Sequence, residues 1–224
     1  MRLLIVNPNT SLSATRRIAN AAEAVAQPGD DFVARPAAFG PDLIVTPEHA
    51  IEAARGVVET VRRHPGKPDG IVLASFGDTG AEEVRALWPD IPVIGIAEAA
   101  FATALQIGGR FSIVTFAPEV AHPLRQKAIE HHAGDALLHV ASLQEPVNGD
   151  PAEMAEVLAE PLAELCRTCA HDGAASIVMG GGPLAGLASR IALNCPVPVI
   201  DGTQEAIAQI RARLTSSMAK ETAE

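Results

Sequence analysis

The sequence is poor in aromatic residues: it has no tyrosine, one tryptophan and only 3% aromatic residues in all. Proteins that bind single-stranded nucleic acids without sequence preference stack the bases on aromatic side chains above a basic groove. This chain instead carries a formal net charge of -10, and its lysines and arginines form no extended basic cluster. The composition therefore argues against a nucleic-acid-binding protein.

Long apolar runs are also absent. No stretch approaches the roughly 20 apolar residues that a membrane-spanning helix needs. The apolar segment at the start, residues 2–6, is shorter than the apolar core of a secretory leader. We therefore expect a cytoplasmic protein without a membrane anchor.

Cysteine is scarce as well, with only Cys166, Cys169 and Cys195 in the chain. An odd number of cysteines is typical of a reduced, cytosolic protein rather than of a disulfide framework. Cys166 and Cys169 form a Cys-x-x-Cys pair, but they lie near the end of a predicted helix over 153–171. Redox pairs of this spacing lie at the start of a helix, so we predict that these cysteines are structural.

Metal-ligand spacing is missing among the seven histidines. The adjacent pair His131 and His132 cannot share one face of a helix, so it does not form a metal site by itself. A metal enzyme is thus a poorly supported alternative, and we predict no metal and no other cofactor.

Short apolar segments alternate with segments of helical composition along the whole chain. The segments predicted as strands are 2–6, 31–37, 71–74, 92–96, 111–116, 137–142, 175–179 and 198–200. Alternating strands and helices with short connections are typical of a parallel α/β architecture. The chain has 224 residues, of which 48% are hydrophobic, so it can build a sizeable core.

The two halves of the chain resemble each other. The order strand, glycine turn, helix, Pro-Val-Ile strand, helix occurs at 71–107 and again at 175–213. This similarity predicts two similar Rossmann-like α/β lobes, related by a pseudo-twofold axis, with the site in the cleft between them. We expect residues 1–97 with 200–224 to form the first lobe and residues 98–199 the second. A single open sheet is the alternative.

Residues 71–80 combine a buried strand with an abrupt turn into a helix. Open α/β sheets bind their ligands at such strand ends. Ser75 lies where a reactive group would be presented, and Gly77 lets the backbone approach a ligand closely. Asp78 can cap the helix that follows or serve as a base. An ordinary strand-to-helix turn is the alternative interpretation.

Similar features follow other predicted strands. Asn9 and Thr10 come after the first strand, Thr115 ends the fifth, and a Gly-Gly-Gly-Pro turn (180–183) follows the seventh. Because the carboxyl ends of parallel strands meet at one edge of a sheet, these residues are candidates for a common site.

Glu48, His49 and Glu98 are titratable residues at predicted helix starts, and their roles remain ambiguous. Glu48 and His49 open the predicted helix over 48–64. They are either a carboxylate in the first helical turn and a surface histidine, or an acid/base pair on a loop over the site. Glu98 begins another helix, where its charge suits the helix dipole, and it is a further candidate base.

Five stretches together resemble the hydantoin racemase branch of the aspartate/glutamate/hydantoin racemase superfamily. They are Asn7-Pro8-Asn9-Thr10-Ser11, Phe76-Gly77-Asp78-Thr79-Gly80, residues 92–100 (Pro-Val-Ile-Gly-Ile-Ala-Glu-Ala-Ala), residues 109–115 (Gly-Arg-Phe-Ser-Ile-Val-Thr) and Pro198-Val199-Ile200-Asp201-Gly202. The resemblance covers nearly the whole chain.

The resemblance implies cofactor-independent proton transfer at a carbon next to a carbonyl, with one cysteine thiol from each lobe. Here the two cysteine positions match Ser75 and Gly181. A serine hydroxyl is a far weaker acid than a thiol, and glycine has no side chain. The two-thiol mechanism therefore does not carry over to this chain.

What carries over from the resemblance is a binding frame for a small ureide, imide or carboxylate. Asn9 and Thr10 match positions at the polar end of the substrate, and Thr115 matches a hydroxyl that faces the site. The backbone of Ser75, Phe76 and Gly77 matches one oxyanion cradle. The second cradle, widened by the lost side chain, matches Gly181, Gly182 and Pro183.

Three functions stay open at this point. The first is an isomerase, hydrolase or lyase with non-thiol chemistry, in which Ser75 is a nucleophile or a hydrogen-bond donor and Glu48, His49 or Asp78 is a base. The second is a hydantoin- or allantoin-type racemase with a noncysteine acid/base pair. The third is a non-catalytic protein that binds a small metabolite. The resemblance also implies a homo-oligomer.

Overall fold

A computed structural model of the chain describes residues 1–144 and 149–221. Within them, the strands form two parallel four-stranded sheets. The first sheet has the order β2-β1-β3-β4 and the second the order β6-β5-β7-β8. The strands are β1 (Arg2–Asn7), β2 (Asp31–Pro36), β3 (Gly70–Leu73), β4 (Val93–Gly95), β5 (Phe111–Thr115), β6 (Leu137–Ser142), β7 (Ser176–Met179) and β8 (Val199–Ile200).

The second sheet repeats the strand order of the first: β5 to β8 take the places that β1 to β4 have in the first sheet. The predicted fold of two similar α/β lobes is thereby confirmed, and the alternative of a single open sheet is wrong. The proposed lobe boundaries, 1–97 with 200–224 and 98–199, stay a prediction. β8 (Val199–Ile200) pairs with β7 in the second sheet and lies at that boundary.

Eight helices connect and cover the sheets in the described part of the chain. They are α1 (Leu12–Glu23), α2 (Pro47–Arg63), α3 (Ala81–Leu87), α4 (Ile96–Ile107), α5 (Ala121–Glu130), α6 (Pro151–His171), α7 (Leu187–Ala192) and α8 (Gly202–Glu221). Side chains of Ser11, Thr46 and Asp150 cap the starts of α1, α2 and α6 by accepting backbone N–H groups. None of these helices is long and apolar enough to cross a membrane.

The lobes share an apolar core rather than meeting only at their surfaces. Phe101 of α4 and Ile207 of α8 are each 1% exposed, in the same cluster as Ile5 of β1 and Ile113 of β5. Burial of this shared surface stabilises one relative placement of the two sheets. The carboxyl ends of β3 and β7 are therefore held at a fixed separation.

Candidate functional site

The turns after β3 and β7 meet between the two lobes. We call residues 75–80 the first turn and residues 180–183 the second turn. A Cβ placed on Gly182 would lie 3.1 Å from the carbonyl oxygen of Ala74, directly before the first turn. Phe76 and Gly181 line a common small cavity of about 10 Å³. The structure thus brings the two predicted cradles together.

Ser75 is half-buried and its hydroxyl is held by the first turn itself. The backbone N–H of Gly77 donates to Ser75 Oγ at 3.1 Å, and Thr79 Oγ1 also lies 3.1 Å away. Across the described residues, no carboxylate or imidazole forms a hydrogen bond with this hydroxyl. A serine without a neighbouring base is a poor nucleophile, so the geometry favours Ser75 as a hydrogen-bonding group.

Asp78 is engaged with the second lobe. Its Oδ2 lies 2.7 Å from Nε2 of His131, the residue after α5, and 3.5 Å from Nζ of Lys127. The predicted role of Asp78 as a helix cap is wrong, because Gly80 is the N-cap residue of α3 and no side chain caps that helix. The histidine has a raised pKa because it bonds to the Asp78 carboxylate.

Asn9 presents an amide group at the end of β1. Its Oδ1 accepts from Asn7 Nδ2 at 2.7 Å and from the Ser11 N–H at 3.0 Å, and these two donors fix the orientation of the amide. The Nδ2 of Asn9 has no acceptor among the described residues. Thr10 is half-buried and its N–H donates to the carbonyl of Pro41 at 3.0 Å. Asn9 therefore has a free donor at this strand end.

The second turn has an aromatic neighbour. Gly181 has a φ of +138°, and a Cβ placed on it would lie 3.2 Å from Cε1 of Phe116. A side chain at this position would therefore crowd the Phe116 ring, and the predicted widening of the cradle stays a prediction. Pro183 follows in a 3-10 helix over Gly182–Leu184.

Thr115 has no exposed surface, and its hydroxyl donates to the carbonyl of Gly180 at 2.7 Å. In this arrangement the hydroxyl ties β5 to the start of the second turn and is not offered to a ligand. A buried hydroxyl spent on a backbone carbonyl contributes to stability rather than to substrate binding. The sequence-based assignment of Thr115 to the substrate site is therefore not matched by its placement.

Glu48 and His49 lie at the start of α2. Among the described residues, neither side chain forms a hydrogen bond with residues 75–80 or 180–183. The backbone N–H of Glu48 and the Thr46 side chain lower the pKa of the exposed Glu48 carboxyl. The N–H of Val45 donates to His49 Nδ1 at 3.5 Å. Within the described residues neither side chain bonds to Ser75, so both remain candidates without a geometric link to the site.

A broad surface groove of about 820 Å³ runs between α2 and α3 and has Gly77 to Gly80 at one end. It includes neither Ser75 nor Gly181. We therefore place the candidate site between the two turns and not in this groove.

Cys166 and Cys169 are poor candidates for reactive thiols. Both are buried in α6, within an apolar cluster. Burial raises the pKa of the Cys166 thiol to about 12 and also raises the pKa of Cys169. Thiols of this kind carry little thiolate near neutral pH and are unreactive.

Sequence reasoning missed one hydrogen-bonded contact between the two lobes. Asp150, which caps α6 in the second lobe, accepts from the hydroxyl of Ser11 at 3.3 Å and from Ser13, both in the first lobe. Burial alone would raise the pKa of Asp150, but the donors from Ser13, Ala152 and Ser11 outweigh it and lower the pKa. No local sequence pattern indicates a contact over this separation.

A family model described as "Asp/Glu/Hydantoin racemase" matches residues 3–210 of the chain. Among solved structures, an allantoin racemase from Klebsiella pneumoniae has a TM-score of 0.88 and 36% identity, with 97% of this chain and 89% of that chain covered. An allantoin racemase from Pseudomonas fluorescens has a TM-score of 0.85 and 27% identity, with 97% and 92% covered. The fold is thus that of the two-lobe racemases.

A curated hydantoin racemase from Paenarthrobacter aurescens is 34% identical over 211 residues, which cover 92% of this chain and 88% of the relative. The chain therefore belongs to the Asp/Glu/hydantoin racemase family. Membership supports an enzyme of this superfamily, as the sequence motifs predicted.

Proposed function

We propose that the protein is a cofactor-independent enzyme that binds a small ureide, cyclic imide or carboxylate between the two turns and acts on it with non-thiol chemistry. The observation that carries this proposal is the opposition of two glycine-rich turns at the carboxyl ends of β3 and β7. A hydroxyl stands on one turn and a bare backbone on the other.

The hydrogen-bonding capacity of this site supports a ligand rich in carbonyl oxygens. The N–H groups of Gly181 and Gly182 have no acceptor in the part of the chain that is described. The Asn9 amide adds a third free donor. Backbone N–H groups held in this way stabilise negative charge on a carbonyl or enolate oxygen.

The chemistry at Ser75 argues for polarisation of the ligand rather than for proton removal by this residue. Its hydroxyl already accepts a bond from Gly77 and shares one with Thr79, so the two hydroxyls can pass a hydrogen bond on to a ligand oxygen. This arrangement fits an isomerase, hydrolase or lyase step in which a bound carbonyl is activated. Glu48, His49 and Asp78 remain the proposed sources of a base.

A second candidate function is racemisation of a hydantoin or of allantoin by a noncysteine pair. It is favoured by the 36% identity to an allantoin racemase and the 34% identity to a hydantoin racemase. The residues at positions 75 and 181 speak against a thiol mechanism, but they do not disfavour the ligand.

The two candidates are separated by turnover in deuterated water of enantiopure 5-substituted hydantoins, allantoin, cyclic imides and small dicarboxylates, followed by mass spectrometry. A new compound supports the first candidate. Gain of one mass unit in the unchanged compound supports racemisation. No reaction and no thermal shift with any compound would contradict both candidates.

The role of Ser75 is tested with the Ser75→Ala variant. We expect activity to fall about tenfold or more, because the variant removes a donor that can strengthen in the transition state. Ser216→Ala, which removes an exposed hydroxyl of α8 bonded to the carbonyl of Ala212, is the matched control and should leave activity unchanged. Retention of activity within about twofold by Ser75→Ala would remove Ser75 from the chemistry.

A further inference from the structure

The first turn is tied to the second lobe by the carboxylate of Asp78. This residue has a φ of +53°, and its Oδ2 bonds to Nε2 of His131 at 2.7 Å. The other oxygen of the carboxylate lies over Gly95, where a Cβ would stand 2.7 Å from Oδ1. A side chain at this position would therefore displace the Asp78 carboxylate from where it now lies.

A second connection between the same elements is aromatic. The ring of Phe76, next to Ser75, meets Phe101 of α4 with centroids 6.1 Å apart and planes at 79°. Phe101 in turn lies 5.8 Å from the His131 ring. Edge-to-face pairs of this kind add to the stabilisation from buried area. His131 therefore contacts the Asp78 carboxylate directly and reaches Phe76 through Phe101.

We propose that His131 is a positioning residue for the first turn, and that its protonation holds the Ser75 hydroxyl in place against the second lobe. The two connections reach the first turn on either side of Gly77, through Phe76 and through Asp78. This inference goes beyond the proposed function, because it concerns the turn whatever the ligand is.

The charged groups around His131 favour its protonated form. Asp78 faces it from the first turn, Glu98 from α4 and Lys127 from α5. Lys127 also pairs with Glu130 at 2.7 Å, and Glu98 pairs with Arg85 at 2.6 Å and with Arg213 at 3.7 Å. The two carboxylates attract the imidazolium, whereas Lys127 repels it.

The direction of the pH dependence follows from this balance. The hydrogen bond to Asp78 raises the pKa of His131 above its ordinary value, although burial opposes it. The charged contact is therefore complete below the ordinary histidine pKa of about 6.5. It is lost as the pH rises through the raised pKa in the folded protein.

The test needs no ligand and uses the full chain in solution. Nuclear magnetic resonance follows the histidine imidazoles and the amides of Gly77 and Thr79 over a pH series. The His131 signal is the one that disappears in His131→Gln. We expect the two amides to shift with the midpoint of His131, and this shift to vanish in His131→Gln, whose neutral amide can still donate to Asp78.

Two other variants make the result specific. In Asp78→Asn the midpoint of His131 should move to lower pH, because the attracting charge is gone. His122 is an exposed histidine of α5, the helix that precedes His131. The control variant His122→Gln should leave the amide shifts of the first turn as they are in the unmodified protein. Amides that titrate in His131→Gln as they do in the unmodified protein would overturn the proposal, and so would an unchanged His131 midpoint in Asp78→Asn.

A binding measurement then separates this inference from the proposed function. Of the experiments described for His131, this is the one that depends on the proposed function. If a 5-substituted hydantoin binds, its Kd should rise above the midpoint pH of His131 in the unmodified protein. In His131→Gln the Kd should not change with pH. The same pH dependence of Kd in both proteins would contradict the inference. Failure of every probe to bind would count against the proposed function, while the amide titration still decides the role of His131.

Discussion

Replacing Gly181 by alanine probes the conformation that distinguishes the second turn. The φ of +138° and ψ of +136° at this position are values that residues with a side chain rarely adopt. Holding such a conformation costs about 1–3 kcal/mol. The added Cβ would also stand 3.2 Å from Cε1 of Phe116, and a forced contact of this kind costs about 1–3 kcal/mol.

Together the two effects predict that Gly181→Ala lowers the free energy of unfolding by roughly 2–6 kcal/mol. In a chain of this size each kcal/mol lowers Tm by about 2–4 °C, so a fall of roughly 4–24 °C is expected. Thermal unfolding followed by circular dichroism measures it. Gly66→Ala is the matched control, because Gly66 has a φ of +82° and no atom within 4 Å of the added Cβ.

The control should show the backbone strain alone, so its loss should be the smaller one. Adding Phe116→Leu to Gly181→Ala should recover the part due to the ring contact. If Gly181→Ala is no more destabilising than Gly66→Ala, the reasoning from the Phe116 contact is refuted, and if neither variant loses stability, the reasoning from φ is refuted as well. If it holds, Gly181→Cys should meet the same backbone strain and the same contact with Phe116.

Two further predictions concern buried carboxylates. The Asp201 carboxylate accepts the Gly186 N–H at 2.6 Å and the Thr203 N–H at 2.9 Å. In Asp201→Asn the side-chain NH2 would face one of these N–H donors, so the free energy of unfolding in urea should fall by about 1–3 kcal/mol. A fall below about 0.5 kcal/mol would contradict this. The Arg211 guanidinium lies 2.7 Å from Oδ2 of Asp30 and strongly lowers the pKa of that carboxyl. The stabilisation of the folded protein by this ion pair is therefore present above about pH 4 and is lost in acid. Arg211→Gln should therefore destabilise more near pH 7 than near pH 2, and equal losses would argue against it.

The regular part of the fold could be predicted because it follows from local patterns. Apolar segments such as residues 71–74 are bounded by turn residues and alternate with segments of helical composition. These signals act over a few residues and are therefore legible in a single sequence. The family motifs likewise lie in short contiguous stretches.

The chemistry of the candidate site was harder to predict. Asp78 and Thr115 are polar residues at strand ends, and the sequence interpretation offered both to a ligand. In the structure Asp78 bonds to His131, 53 residues away, and Thr115 bonds to Gly180, 65 residues away. A polar side chain looks free in a sequence until its partner is known.

The sequence by itself determined the alternation of strands and helices, the internal repeat and the family, and it predicted that Ser75 and Gly181 stand at the family's two cysteine positions. Each of these depends on residue identity and short-range order alone. Only the tertiary structure decided that the Phe116 ring lies beside Gly181 and that His131 bonds to Asp78 of the first turn. Both contacts join segments that are distant in the chain, and they arise because the shared core fixes the two sheets against each other.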